Sequence, residues 1–334
     1  MPTPSIGLVL GAGGVVGSAY HVGALTALFE VTGWDARAAD LVVGTSAGAG
    51  IAASLRIGFS PADLFARSQD AQMSDEGRAL AGDVGTERLQ LPDRPGFDPL
   101  GLLRPIAPWL VAPAFLAAGP IRPGLLAGLL PRGTVATTPM GDRIRTMMQR
   151  PWPEQPTWIC ATRVRDGKRV VFGRDDVDVP DLGVAVEASS AVPAYFAPVP
   201  IGDHTYFDGA TFSPTNADLV RGLGFDLVVV VSPMSAVSTA LGPTFPPDLR
   251  AGGRTLNARV LGREVGQIRD SGTAVLVLQP TADDLEVMRG DPLSSDSTPA
   301  IVRQVRESVT RHLDTVATGE RVDTFRAATS PSPP

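Results

Sequence analysis

Two short stretches carry side chains that could do covalent chemistry together. "GTSAG" (44–48) sets Ser46 between Gly44 and Gly48, and "YFDGA" (206–210) sets Asp208 just before Gly209. A G-x-S-x-G pentapeptide after a strand and before a helix makes a sharp turn, leaving its serine exposed at the helix N-terminus. There the dipole and free N–H groups favour charge developing on an attacked carbonyl oxygen. Because a serine hydroxyl is a poor nucleophile until a base takes its proton, the second stretch matters as much as the first. Asp208 ends an aromatic strand, where chemistry on open α/β sheets collects. A carboxylate becomes an effective base when it bonds the hydroxyl directly in a water-poor pocket. On spacing alone, both stretches are also compatible with plain glycine turns.

The three histidines offer weaker bases. His312 falls within the pattern of the C-terminal helix, whereas catalytic histidines of hydrolase sheets sit on loops after strands, so it is expected to be a partly buried helix residue. His204 precedes a strand and reads as a turn residue. His21 lies on the first helix beside a glycine loop, where a packing or supporting role is expected.

That loop is the third motif. "LVLGAGGVVGSAYHVGAL" (8–25) places Gly11, Gly13, Gly14 and Gly17 between a strand and a helix. Backbone N–H groups in such a loop can cradle a dinucleotide pyrophosphate or another negative charge. The dinucleotide reading needs an acidic residue about 20 positions on, ending a second strand. Glu30 lies inside the predicted helix and Asp40 begins a strand, which weakens it.

Composition narrows the classes further. A formal charge of −6 excludes the basic face of a nucleic-acid binder. With one cysteine, Cys160, and three histidines without metal-ligand spacing, no metal centre is expected. Lys168 is the only lysine and reads as part of a hairpin turn, so no P-loop or Schiff-base lysine is placed. No organic cofactor is expected. The N-terminus lacks the basic residues of a secretory signal, so a cytoplasmic location is expected. The uncharged run 105–121 holds four prolines and is suited to touching a membrane rather than crossing it.

These side chains need elements to hold them. "SIGLVL" (5–10) and "DLVVGT" (40–45) read as buried parallel strands, each followed by a glycine turn and a helix. The stretch 157–172 reads as two strands around an Asp-Gly turn. "HTYFDGA" (204–210) reads as a strand ending in a glycine turn, and 226–232 and 274–280 read as buried central strands. Thr298 reads as a cap for a closing amphipathic helix carrying Val302, Val305, Val309, Leu313 and Val316. The expected organisation is one domain over 1–325 with an irregular, partly helical cap insertion at about 60–140, then a disordered tail over 326–334.

The glycine-rich loop, the G-x-S-x-G turn and the distal D-G-A in this order resemble the patatin-like phospholipases. The block "ASSAVPAYFAPVPIGDHTYFDGATFSPTNADLV" (188–220) is similar to the region around that family's aspartate, including a Pro-Thr-Asn after the D-G. The resemblance implies a three-layer α/β/α sandwich with a mainly parallel central sheet, and a Ser-Asp dyad without histidine. It implies Ser46 as nucleophile, Asp208 as base, and the N–H groups of Gly13, Gly14 and Val15 as the oxyanion hole. One departure stands out: the family usually carries Arg or Lys shortly after these glycines, and here Val15, Val16 and Gly17 occupy those positions.

The activity so implied is hydrolysis of lipid acyl esters through an acyl-serine. Acyl transfer to another acceptor, or lipid binding with weak catalysis, stays open. The cap residues Ile106, Trp109, Leu110, Phe115, Leu116, Leu125, Leu126, Leu129 and Leu130 suggest an acyl-chain pocket, peripheral membrane contact or a subunit contact, or else simply the cap's own core.

Overall fold

The computed structural model describes residues 3–85, 105–107, 109, 128–237, 249–315 and 319–329. Its strands are β1 (Ile6–Leu10), β2 (Leu41–Thr45), β3 (Thr157–Arg163), β4 (Arg169–Phe172), β5 (Val199–Ile201), β6 (His204–Asp208), β7 (Leu227–Val231) and β8 (Ala274–Leu278). They form one sheet in the order β5-β6-β3-β2-β1-β7-β8, with β4 also paired to β3. The run from β3 to β8 is parallel, and β4, β5 and β6 add antiparallel pairs at the other side.

The helices are α1 (Gly14–Thr32), α2 (Ala47–Ile57), α3 (Pro61–Ser68), α4 (Asp75–Gly85), α5 (Thr138–Met147), α6 (Leu182–Ser189), α7 (Leu249–Asp270), α8 (Ala282–Val287), α9 (Thr298–Leu313) and α10 (Gly319–Thr329). The central strands are apolar on both faces because both are covered. On β1, Leu8 and Leu10 join the core shared with α1, α2 and α9, while Val9 joins a second core with Leu261, Val265 and Ile268 of α7. Those two cores are what make the fold three layers deep.

Helix α1 is long and apolar enough to cross a membrane by length and composition, yet it is a core helix, buried between the sheet and α9. Gly23 permits that crossing: a Cβ there would meet the Val302 carbonyl at 2.7 Å.

Several expectations need correction. Strand β8 is the last in the sheet rather than central; it reads as buried because α7 and α10 pack beside it. Helix α9 begins at Thr298 with Ser297 as its cap residue, so Thr298 is not the cap. The chain does not close with α9, since α10 runs to Thr329 and anchors Val322 and Phe325 in the core. The expected tail is therefore helical up to Thr329, and residues 330–334 lie outside the described part, as does Val316.

The expected cap is also narrower than 60–140. Leu64 of α3, Met73 ahead of α4 and Ala81 within α4 belong to the main core. Leu110, Phe115, Leu116, Leu125 and Leu126 lie outside the described residues. Of the rest, Ile106 is buried against Phe207, and Trp109, Leu129 and Leu130 are exposed.

Candidate active site

Three neighbouring strands bring the two motifs together. Thr45 of β2 pairs with Cys160 of β3, and Ala161 of β3 pairs with Asp208 of β6, so the ends of β2 and β6 flank the same stretch of β3. Ser46 follows β2 directly and adopts φ 53°, ψ −118°. A positive φ costs a serine about 1–3 kcal/mol and persists only where the surroundings impose it. Here they do, through glycine contacts too close for any side chain: a Cβ on Gly48 would sit 2.0 Å from the Leu10 carbonyl oxygen, and one on Gly44 would sit 2.7 Å from the Cα of Ala49. The Ser46 N–H donates to Ser189 Oγ at 2.9 Å, and Ser189 Oγ donates to the Cys160 carbonyl at 2.7 Å.

Asp208 is buried, and one oxygen accepts the Ala210 N–H at 2.8 Å. The Ser46 side chain stands against this carboxylate and favours its charged form. Burial is the larger effect and pushes the Asp208 pKa up to about 6, with Ser46 and the Ala210 N–H only partly opposing it.

The loop after Asp208 is held by residues that the motifs did not reveal. Glu264 of α7, itself buried, accepts Ser213 Oγ and Thr215 Oγ1 at 2.5 Å each and the Ala217 N–H at 3.0 Å. Asn216 Nδ2 donates to Thr45 Oγ1 at 3.1 Å, tying the Pro-Thr-Asn segment to the residue before Ser46.

The glycine loop lies alongside. Gly13 is the cap residue of α1, and Gly14 has φ 63°. The Val16 N–H is taken by the Pro292 carbonyl at 3.2 Å, while among the described residues no acceptor takes the N–H groups of Gly13, Gly14 or Val15. Gly14, Val15, Ser46 and Ala47 all line one cavity of about 310 Å³. That volume suits a small-molecule or acyl ligand.

His21 is buried, and its Nε2 bonds the Gly11 carbonyl at 2.7 Å. Burial lowers its pKa to about 4, so the ring is neutral and Nε2–H donates. The same carbonyl accepts the Gly48 N–H at 3.2 Å, which makes His21 a brace between the glycine loop and the serine turn. His204 opens β6 and is not a turn residue. His312 lies in the last turn of α9 and is exposed rather than partly buried.

A family model described as patatin-like phospholipase matches residues 8–221, and this span contains all three motifs. The chain belongs to the patatin-like phospholipase family. Two solved structures are similar to this patatin-like chain. The type III effector protein ExoU has 20% identity and a TM-score of 0.39, with 93% of this chain covered and 53% of that one. VipD from Legionella pneumophila has 15% identity and a TM-score of 0.40, covering 94% and 67%. The chain thus spans about half the length of ExoU.

Proposed function

We propose that the protein hydrolyses acyl esters of lipids, with Ser46 as nucleophile and Asp208 as its base. The observation that carries the proposal is the Ser46 side chain set against a buried carboxylate whose pKa is raised to about 6. A base of that strength is ionised at neutral pH yet far better at holding a proton than an exposed aspartate.

In the first step Asp208 accepts the Ser46 proton as Oγ attacks the ester carbonyl. The oxyanion is stabilised by the N–H groups of Gly13, Gly14 and Val15 at the start of α1, helped by the helix dipole. This backbone hole needs no basic side chain in the loop. The Ala47 N–H, which follows the nucleophile and lines the same cavity, is a further donor. Collapse breaks the bond to the alcohol, which leaves with the proton from Asp208. Water then attacks the acyl-serine while Asp208 takes its proton, and the acid departs as Ser46 is reprotonated.

Apolar side chains including Val22, Ile51, Ile144 and Met147 line the cavity and suit an acyl chain. The reading is tested by fatty-acid release from p-nitrophenyl esters, lysophospholipids and glycerides. Ser46→Ala should lower turnover by about 10³-fold or more, and undiminished release in that variant would end it.

A further inference from the structure

One buried segment, residues 213–217, touches all three motifs. The Ser213 N–H donates to the Gly209 carbonyl at 3.2 Å, next to Asp208. The Pro214 carbonyl accepts the Ala12 N–H at 2.8 Å, in the glycine loop just before Gly13. That carbonyl and the Thr215 methyl lie so close to Gly11 that a Cβ there would meet each at 3.1 Å. Asn216, in the left-handed region at φ 52°, donates from Nδ2 to Thr45 Oγ1, beside the serine turn. The segment is therefore the piece of chain through which the glycine loop, the serine turn and the aspartate turn are tied to one another.

A single side chain holds that segment from behind. Glu264 Oε1 accepts Ser213 Oγ, while Oε2 accepts both Thr215 Oγ1 and the Ala217 N–H. The direction of these bonds is fixed. Ser213 Oγ already accepts the N–H groups of Thr215 and Asn216, at 3.3 and 3.0 Å, so both its lone pairs are used and its own hydrogen goes to Glu264. The backbone donor at Oε2 cannot reverse either. Only a group that accepts at both ends fits here. A glutamine would aim its amide hydrogens at Ser213 Oγ, which has no free lone pair, or at the Ala217 N–H, which has none at all. Glu264 is buried, and among the described residues no cation forms an ion pair with it, so hydroxyl and amide donors meet its charge.

We infer that Glu264 is a positioning residue for the reaction: through Ser213, Thr215 and Ala217 it fixes the one segment that sets the glycine loop, the residue before Ser46 and the turn after Asp208 relative to one another. It lies outside the cavity lining and bonds neither Ser46 nor Asp208, so it acts only through that segment. Loosening the segment moves nucleophile, base and backbone donors independently, and a misplacement of about 1 Å can cost roughly 10²-fold in rate. The catalytic consequence rests on the Ser46–Asp208 reading, whereas the hold on the segment does not.

Two readouts on the full chain separate the hold from the chemistry. Amide hydrogen exchange is followed in peptides covering 8–20, 42–50 and 206–218, and kcat, KM and the rate of fluorophosphonate labelling are measured for the folded fraction. The variants are Glu264→Gln, the milder isosteric Thr215→Val, and Phe325→Leu, which weakens the core under α10 instead. Glu264→Gln should raise exchange in all three peptides together and lower kcat and the labelling rate by about 10- to 100-fold, with KM changed by less than about twofold. Thr215→Val should act in the same direction by about three- to tenfold, and it carries the comparison if Glu264→Gln does not fold. Phe325→Leu should melt lower and keep the rates of wild type. Rates unchanged in Glu264→Gln, exchange raised only in 206–218, or an equal loss of rate in Phe325→Leu would overturn the inference. A wild type that neither labels nor releases fatty acid would count against the dyad, and the exchange pattern would still decide whether Glu264 holds the three motifs together.

Discussion

The side chain of Ser46 stands against the carboxylate of Asp208 across three strands: the serine follows β2, the aspartate ends β6, and β3 runs between them. Both groups are held at strand ends, so their geometry depends on strand register. Burial raises the pKa of the aspartate, and under the proposed mechanism that pKa sets when the site can work.

Activity should rise with pH through about 6 and then level off, because Asp208 must be ionised to accept the serine proton. The check is kcat/KM for a soluble ester between pH 4.5 and 8.5. A profile flat across that range, or one governed by a group near 7 and abolished in His312→Ala, would speak against an aspartate base.

The same shift affects stability. A carboxyl near 3.8 in the unfolded chain and about 6 in the folded one binds its proton more tightly when folded. Stability from this group is therefore lost as pH rises from about 4 through 6, and the full cost at pH 8 is about 3 kcal/mol as an upper figure. Asp208→Asn removes the charge and should be inactive yet more heat-stable than wild type at pH 8. Below pH 5 the advantage should vanish. An asparagine variant that melts lower at pH 8 would contradict the burial argument.

His21 should show the opposite dependence. Its pKa falls from 6.5 unfolded to about 4 folded, so the stability it contributes is complete above pH 6.5 and lost as pH drops toward 4. His21→Gln keeps a donor for the Gly11 carbonyl without a titrating ring. Relative to wild type it should gain stability on acidification from pH 7 to 4.5, measured by denaturant midpoint. His21→Ala should lose about 2–4 kcal/mol near pH 7 from the cavity it leaves, a deficit that narrows on acidification because the titrating ring is gone there too.

Ser189→Ala leaves the buried Ser46 N–H without its acceptor, at a cost of about 1–3 kcal/mol. Since that bond also helps hold the positive φ of Ser46, turnover should fall by about tenfold or more while KM changes little. A purely structural role would lower stability and leave kcat of the folded fraction unchanged.

Much of the site was legible because its constraints are local. Gly44 and Gly48 are written into the pentapeptide by backbone contacts that admit no side chain, and Asp208 is marked by the glycine after it. Ser189 and Glu264 were not legible. Ser189 lies 143 positions from the serine it supports, and no short pattern records such a pairing. Glu264 looks like any charged residue of a surface helix until the loop it caps is folded against it. The edge strand β8 was misplaced because packing beside it mimics a central position, and α10 was missed because its buried anchors among the described residues, Val322 and Phe325, sit in a stretch of charged and small residues.

The most direct test of the dyad is the mass and position of a fluorophosphonate adduct on the intact, folded protein. The account predicts a single adduct on Ser46, absent in Ser46→Ala and Asp208→Asn and retained in His312→Ala. An adduct on another residue, or full labelling of Asp208→Asn, would contradict it.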